Sequence, residues 1–132
     1  MRKILFRGID KRGVWHYGFI WKDPSDNYYI KEKINNTHYA DYEVIEDSIG
    51  QFIGLEDKNK KKIFEGDIIK FEKTWSHSEE ITTVDWDSCY VGFEPFNEME
   101  DTKEGFDHLY FSDDCEVIGN KFEHKKFLGN LK

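Results

Sequence analysis

Apolar and polar residues alternate along this chain in short bursts, and nowhere does a helical apolar period persist for three turns. Arg2–Gly8 places Ile4 and Phe6 on one side, with Arg2, Lys3 and Arg7 to solvent or an edge, as in a first strand. Asp10-Lys11-Arg12-Gly13 reads as a turn in which Gly13 takes positive φ. In Val14–Trp21, Trp15, Tyr17, Phe19 and Trp21 share one parity, so a strand lines all four rings along one face. The cluster Asp23-Pro24-Ser25-Asp26-Asn27 turns the chain into a returning strand, Tyr28–Lys33. A loop opening at Asn35-Asn36-Thr37-His38 leads to a short strand at Tyr42–Ile45.

The next stretch is the most sharply punctuated: a strand at Gly50–Ile53, a turn over Gly54–Lys62 and a short strand at Ile63-Phe64. Glu65-Gly66-Asp67 forms a corner, with Gly54 and Gly66 at the bends and Asp67 tying the corner backbone. Ile68–Glu72 follows, with Ile69 and Phe71 on one face and Ile68 on the other; Ile63, Ile69 and Phe71 are core candidates. Thr74–Glu80 is expected as a polar loop, Ile81–Trp86 as a strand pairing Val84 with Trp86 by parity, and Cys89–Phe93 as its return. Pro95–Gly105 reads as an acidic surface loop, Phe106–Phe111 as an aromatic run and Glu116–Asn120 as the last strand. Phe122–Leu128 is expected as one terminal helical turn. Short strands at intervals of roughly 8–12 residues predict a mainly β barrel or roll with long loops and little helix.

With 132 residues the chain fits one domain, 1–132, and 17% aromatic residues supply a core that the aliphatic count alone does not suggest. The apolar run after Met1-Arg2-Lys3 is only Ile4-Leu5-Phe6, too short for a signal peptide, and no run approaches a membrane span. Cys89 and Cys115 make no Cys-x-x-Cys spacing and read as reduced thiols, so the expectation is a soluble cytoplasmic protein. The net charge of −8 is uneven: Asp85 to Glu116 holds eleven acids against Lys103 alone, giving −10 there and +2 elsewhere. Nucleic-acid binders neutralise phosphates with Lys and Arg, so this balance argues against ordinary DNA or RNA binding.

Candidate chemistry weakens on spacing. Asp57-Lys58-Asn59 starts like a calcium loop, but Lys61, Lys62 and Ile68 stand where that loop needs an oxygen ligand, Gly and Glu. Glu56-x-Lys58 is a fragment used by metal-dependent nucleases, for which Asp67, Asp85 or Asp87 would have to converge on the same ion; such a tripeptide also arises by chance in a Lys- and Glu-rich chain. His16, His38, His77, His108 and His124 with the two cysteines show no zinc-knuckle or His-Glu-x-x-His spacing. No cofactor, metal or catalytic residue is expected. Asp85 and Asp87 share a face, where solvated charge is the plainer reading than an acid–base pair. The ring stripe suits a core face, a subunit interface or a stacking platform. The acidic segment, with Asp113, Asp114 and Glu116, suits a solubilising surface or an imitation of a phosphate backbone.

Ile49-Gly50-Gln51-Phe52-Ile53-Gly54-Leu55-Glu56-Asp57 through Ile63-Phe64-Glu65-Gly66-Asp67-Ile68-Ile69 resembles the signature of the YopX protein family. Lys3-Ile4-Leu5-Phe6-Arg7-Gly8, Val84-Asp85-Trp86 with Tyr90-Val91-Gly92-Phe93, and Glu116-Val117-Ile118-Gly119-Asn120 resemble its opening, middle and close. Lys60 or Lys61 stands where the family has a turn glycine, and Glu123-His124-Lys125-Lys126 replaces the usual Glu-Asn-Pro-Glu. The resemblance implies a phage or prophage protein with an SH3-like β-barrel or roll that self-associates, and it carries over no catalytic residue. The expected function is that of an accessory protein binding other proteins, as a homo-oligomer or with a host or phage partner. An acidic DNA-mimic inhibitor and a metal-dependent phosphodiesterase are the alternatives.

Overall fold

The computed structural model describes residues 3–73, 78–88, 92–97, 99–102, 105–108 and 111–124. The chain divides into two compact units, Met1–Gly54 and Leu55–Lys132. All ladders are antiparallel, and the only helical elements among the described residues are two 3-10 turns, Glu46–Ser48 and Ser112–Asp114. The protein is therefore mainly β. Among the described residues no sheet closes on itself, so the expected SH3-like closure is not part of the observed architecture.

The first unit is a meander of β1 (Phe6–Ile9), β2 (Trp15–Lys22), β3 (Tyr28–Lys33), β4 (Tyr39–Val44) and the start of β5 (Gly50–Glu56), in the spatial order β4-β3-β2-β1-β5. β2 changes partner half way: Trp15–Gly18 face β1, and Phe19–Lys22 face β3. Gly18 permits that crossing, because a Cβ there would collide with the Lys31 carbonyl oxygen. Past the end of β4, the Ile45 N–H donates to the Ile9 carbonyl at 2.8 Å, and the Ile9 N–H donates to Ser48 Oγ at 2.9 Å. Ile9, Ile30, Val44, Phe52 and Ile53 are buried here.

The second unit opens with a tight turn after β5 that returns as β6 (Lys62–Phe64), followed by the Glu65-Gly66 corner. β7 (Asp67–Lys73) is the central strand of a sheet ordered β13-β7-β8, with β8 at Ser78–Thr83 and β13 at Cys115–Asn120. Ile68 and Ile69, on opposite faces of β7, are both fully buried, so both faces of this strand are covered. Ile63, Phe64, Phe71, Val84, Phe96, Cys115 and Val117 complete this core. β9 (Asp85–Asp87) pairs with β10 (Gly92–Glu94), and β11 (Met99–Thr102) with β12 (Gly105–His108).

Several expectations need correction. Ser78–Glu80 belongs to β8 rather than to a loop: an edge strand needs apolar residues less than a central one does. The acidic stretch expected as a loop over Pro95–Gly105 contains β11 and leads into β12, a ribbon whose ladder is made by the backbone. Val84 and Trp86 do not share an environment, since Val84 is fully buried while Trp86 is 51% exposed. The strand breaks between them where Val84 exchanges hydrogen bonds with the Gly66-Asp67 corner, so parity does not carry across. β4 starts at Tyr39, earlier than Tyr42, and the turn after β5 is confined to Asp57–Lys61. Residues 74–77, 89–91 (with Cys89), 109–110 and 125–128 of the expected elements lie outside the described residues.

Candidate functional site

Three hairpins are closed by one repeated device, an aspartate at the head of the turn. Asp10, Asp23 and Asp57 each donate their N–H to the carbonyl four residues on, at 3.0, 3.0 and 2.8 Å. Each also accepts on Oδ1 the N–H groups two and four residues on: Arg12 and Val14, Ser25 and Asn27, Asn59 and Lys61. The fourth residue of each turn is left-handed: Gly13 at φ +86°, Asp26 at +66° and Lys60 at +65°. This is a type I turn followed by a left-handed residue, a common closure for short hairpins. The turns differ in what the second oxygen, Oδ2, does.

For Asp57, Oδ2 accepts the Val117 N–H at 2.9 Å, tying the hairpin to β13 sixty positions away. Burial alone would raise the Asp57 pKa, yet the amides of Val117, Lys61 and Asn59 hold it below its ordinary value. At the neighbouring corner Gly66 has φ +92°, and its N–H donates to the Val84 carbonyl at 2.7 Å. Asp67 Oδ2 there accepts the Phe64 N–H at 2.8 Å, and Glu65 beside it is half-buried. Gly54 has φ +90°. These signature residues bend and fasten the backbone.

For Asp10, Oδ2 instead meets His16 Nε2 at 2.8 Å. Glu32 Oε1 lies 3.2 Å from Nδ1 of the same ring, and Glu32 Oε2 accepts the Tyr17 N–H at 2.8 Å. Both ring nitrogens face carboxylates. The ring is 4% exposed and stacks on Tyr42 with centroids 3.9 Å apart. The Asp10 carboxyl is held far below the usual range, first by His16, then by the Val14 amide. This clasp occupies the place where the β2–β3 ladder gives out. Both nitrogens of the imidazole are thus engaged inside the clasp.

Directly over the clasp, on the opposite parity, lies the ring stripe. Tyr17, Phe19 and Trp21 are 42%, 59% and 40% exposed, whereas His16, between Trp15 and Tyr17, is buried. The core reading therefore does not describe these three rings. Trp15 is half-buried with the Arg7 guanidinium 4.9 Å from its ring centroid. Trp21 stacks on Tyr29 at 4.4 Å, and its indole N–H donates to Asp41 Oδ1 at 2.8 Å. Register places Tyr29, Lys31 and Lys33 of β3, and Tyr39, Asp41 and Glu43 of β4, on the same face. Lys31 Nζ sits 3.7 Å from Asp41 Oδ1, and Tyr39 is 52% exposed. The result is an aromatic sheet face with charges of both signs.

The acidic candidates lie elsewhere. Asp113 and Asp114 are exposed on a 3-10 turn. Glu116 lies 3.6 Å from Lys58 Nζ, and Asp85 accepts bonds from Lys121 Nζ and Thr83 Oγ1. Lys58, the lysine of Glu56-x-Lys58, is thus directed at Glu116, and Asp67 is engaged in its corner. Among the described residues no three His, Cys, Asp or Glu side chains are grouped to hold a metal ion. Cys115 is fully buried, and burial pushes its thiol pKa up to about 12. No described helix is long and apolar enough to cross a membrane.

The sequence pattern does not single out Asp10, Glu32 and Tyr42, and it offers His16 only as one scattered ligand. The usable signal was His16 itself, a polar residue on the parity opposite four rings. A family model described as "YopX protein" matches residues 6–129. No curated protein matches the chain.

Proposed function

The chain belongs to the YopX family, and we propose that it is a phage- or prophage-encoded accessory protein of the host cytoplasm, acting by protein binding and self-association rather than catalysis. The observation that carries this reading is the exposed aromatic face of β2, β3 and β4. Large exposed apolar patches with polar surroundings mark interaction sites, and Tyr, Trp and Phe are the residues enriched at the centres of interfaces. The face is also held in shape: Trp21 is fixed by Tyr29 and Asp41, and the clasp beneath fixes Tyr17. Met1–Gly54 carries eight basic and eight acidic residues, so the net charge of −8 belongs entirely to Leu55–Lys132. A neutral aromatic face is suited to a protein surface and poorly suited to a phosphate backbone.

Light scattering on the purified chain, with affinity capture from infected host cells, tests the reading. Phe19→Asp puts a charge on the most exposed ring of the stripe without touching the buried side. It is expected to reduce association and capture together. A wild-type chain that stays monomeric at micromolar concentration and captures nothing overturns the proposal. The acidic-decoy alternative rests on Asp113, Asp114 and Glu116. It predicts that Asp113→Lys, Asp114→Lys and Glu116→Lys together abolish capture while Phe19→Asp leaves it intact.

A further inference from the structure

Beneath the aromatic face, titratable groups from three elements enclose His16. The β1–β2 turn contributes Asp10, which Arg12 also approaches, β3 contributes Glu32, and β4 contributes Tyr42. β1 places Gly8 opposite His16. We propose that a single proton between His16 Nδ1 and Glu32 Oε1 acts as a latch on the aromatic face. Held, it closes the clasp; lost as pH rises, it releases Glu32 and with it the backbone of Tyr17.

A neutral imidazole has one N–H and one lone pair. Asp10 takes the N–H: its carboxyl is held ionised, first by His16, and lies 2.8 Å from Nε2. The 3.2 Å contact between Nδ1 and Glu32 then needs a second proton, carried by the ring or by the carboxyl. Without it, a lone pair faces a carboxylate oxygen at a buried ring, and one partner has to move. Asp10 is the fixed partner, since its Oδ1 accepts the Arg12 and Val14 amides and its side chain is 9% exposed. Glu32 is the free one, with its side chain 26% exposed and a path to water. As it swings out it drops the Tyr17 N–H, which Oε2 holds at 2.8 Å. That bond lies past Phe19–Lys31, where the β2–β3 ladder ends, so no rung of the ladder takes its place. Tyr17 begins the exposed part of the stripe, and this end of the face therefore loosens when the proton leaves. As regulation of a binding surface the latch rests on the proposed function, but its operation is read on the unliganded chain.

The test follows the full-length chain by NMR from about pH 5 to about pH 9, a span that brackets the ordinary histidine range. Nitrogen shifts of the His16 ring report its protons, and hydrogen exchange, corrected for its intrinsic pH dependence, reports the Tyr17 amide. Protection of Tyr17 is expected to fall about 10-fold in step with loss of the shared proton. The Val14 amide, held by Asp10, keeps its protection over the same span. Glu32→Gln abolishes the response, because its side-chain amide accepts from a protonated Nδ1 or donates to a bare one. A Tyr17 amide that ignores the titration overturns the inference, as does a His16–Glu32 pair that does not titrate within the span. Tyr17 and Val14 losing protection together also overturns it, since the loosening is then not local. Self-association, followed by light scattering, is expected to weaken over the same interval. Association that stays constant while the Tyr17 amide responds overturns the regulatory role. A chain that never associates overturns the proposed function instead, and the amide response still decides the latch.

Discussion

The turns at Asp57 and Asp10 are nearly superposable in chemistry and unlike in consequence. Each aspartate closes its own hairpin with the same three local bonds, and each has one oxygen left over. In the second unit that oxygen binds a main-chain amide of β13, so the side chain acts as a rivet between distant stretches of backbone. In the first unit it binds an imidazole, which binds Glu32, which in turn binds the backbone of the aromatic strand. Main-chain amides constrain little about neighbouring side chains, whereas a side-chain relay fixes which residues stand above it. The contrast separates a turn that makes the fold from a turn that sets up a surface.

Breaking the rivet should have the largest effect. Asp57→Ala strands the Val117 amide in a buried site and removes the Asn59 and Lys61 contacts, a loss of about 3–5 kcal/mol in urea unfolding. A loss below about 1 kcal/mol would show that Oδ2 is dispensable. The same variant gives a pH test. A carboxyl whose folded pKa is depressed stabilises the fold above its unfolded pKa and loses that contribution as pH falls through the folded value. The gap between wild type and Asp57→Ala should therefore be full at pH 7 and begin to close below about pH 4. A gap that stayed constant down to pH 2 would mean that the Asp57 charge is not what binds the amides.

Breaking the relay should cost less in stability and more in the surface. His16→Ala leaves Asp10 and Glu32 facing a cavity and is expected to lose about 2 kcal/mol. Its distinguishing mark is local: the Tyr17 amide, held by Glu32, should lose exchange protection while the Val117 amide keeps its own. If both amides change together, the two turns are not separate devices.

Both turns could be read in the sequence, since an aspartate followed by polar residues and a glycine or its substitute marks the bend wherever it occurs. Their different uses could not. Whether Oδ2 meets Val117 depends on a strand sixty residues away, and whether it meets His16 depends on the register that brings Glu32 of β3 beside β2. The stripe was similarly half legible: parity grouped Trp15, Tyr17, Phe19 and Trp21, but parity says nothing of which face is buried. His16 and Gly18, on the other parity, settle that question, one by being buried and the other by admitting the β3 backbone. Ile81–Thr83 of β8 is marked by its β-branched run, but Ser78–Glu80 and β11 are not, because their ladders form from backbone groups, whatever the polarity of the side chains.

The smallest effect sharpens the comparison at the left-handed position of the turns. Gly13 and Lys60 occupy the same backbone state, at φ +86° and +65°. An L-residue held there costs about 1–2 kcal/mol, partly offset because glycine gives the unfolded chain more freedom. Lys60→Gly should therefore stabilise the protein by about 0.5–1 kcal/mol, and Gly13→Ala should destabilise it by a similar amount. Because Lys60 is exposed and its turn is already fastened by Asp57, the gain should appear as slower unfolding without a change in association. If Lys60→Gly proved neutral while Gly13→Ala was costly, the turns would be alike in hydrogen bonding but not in strain, and the departure of Lys60 from the family's glycine would then carry no energetic penalty.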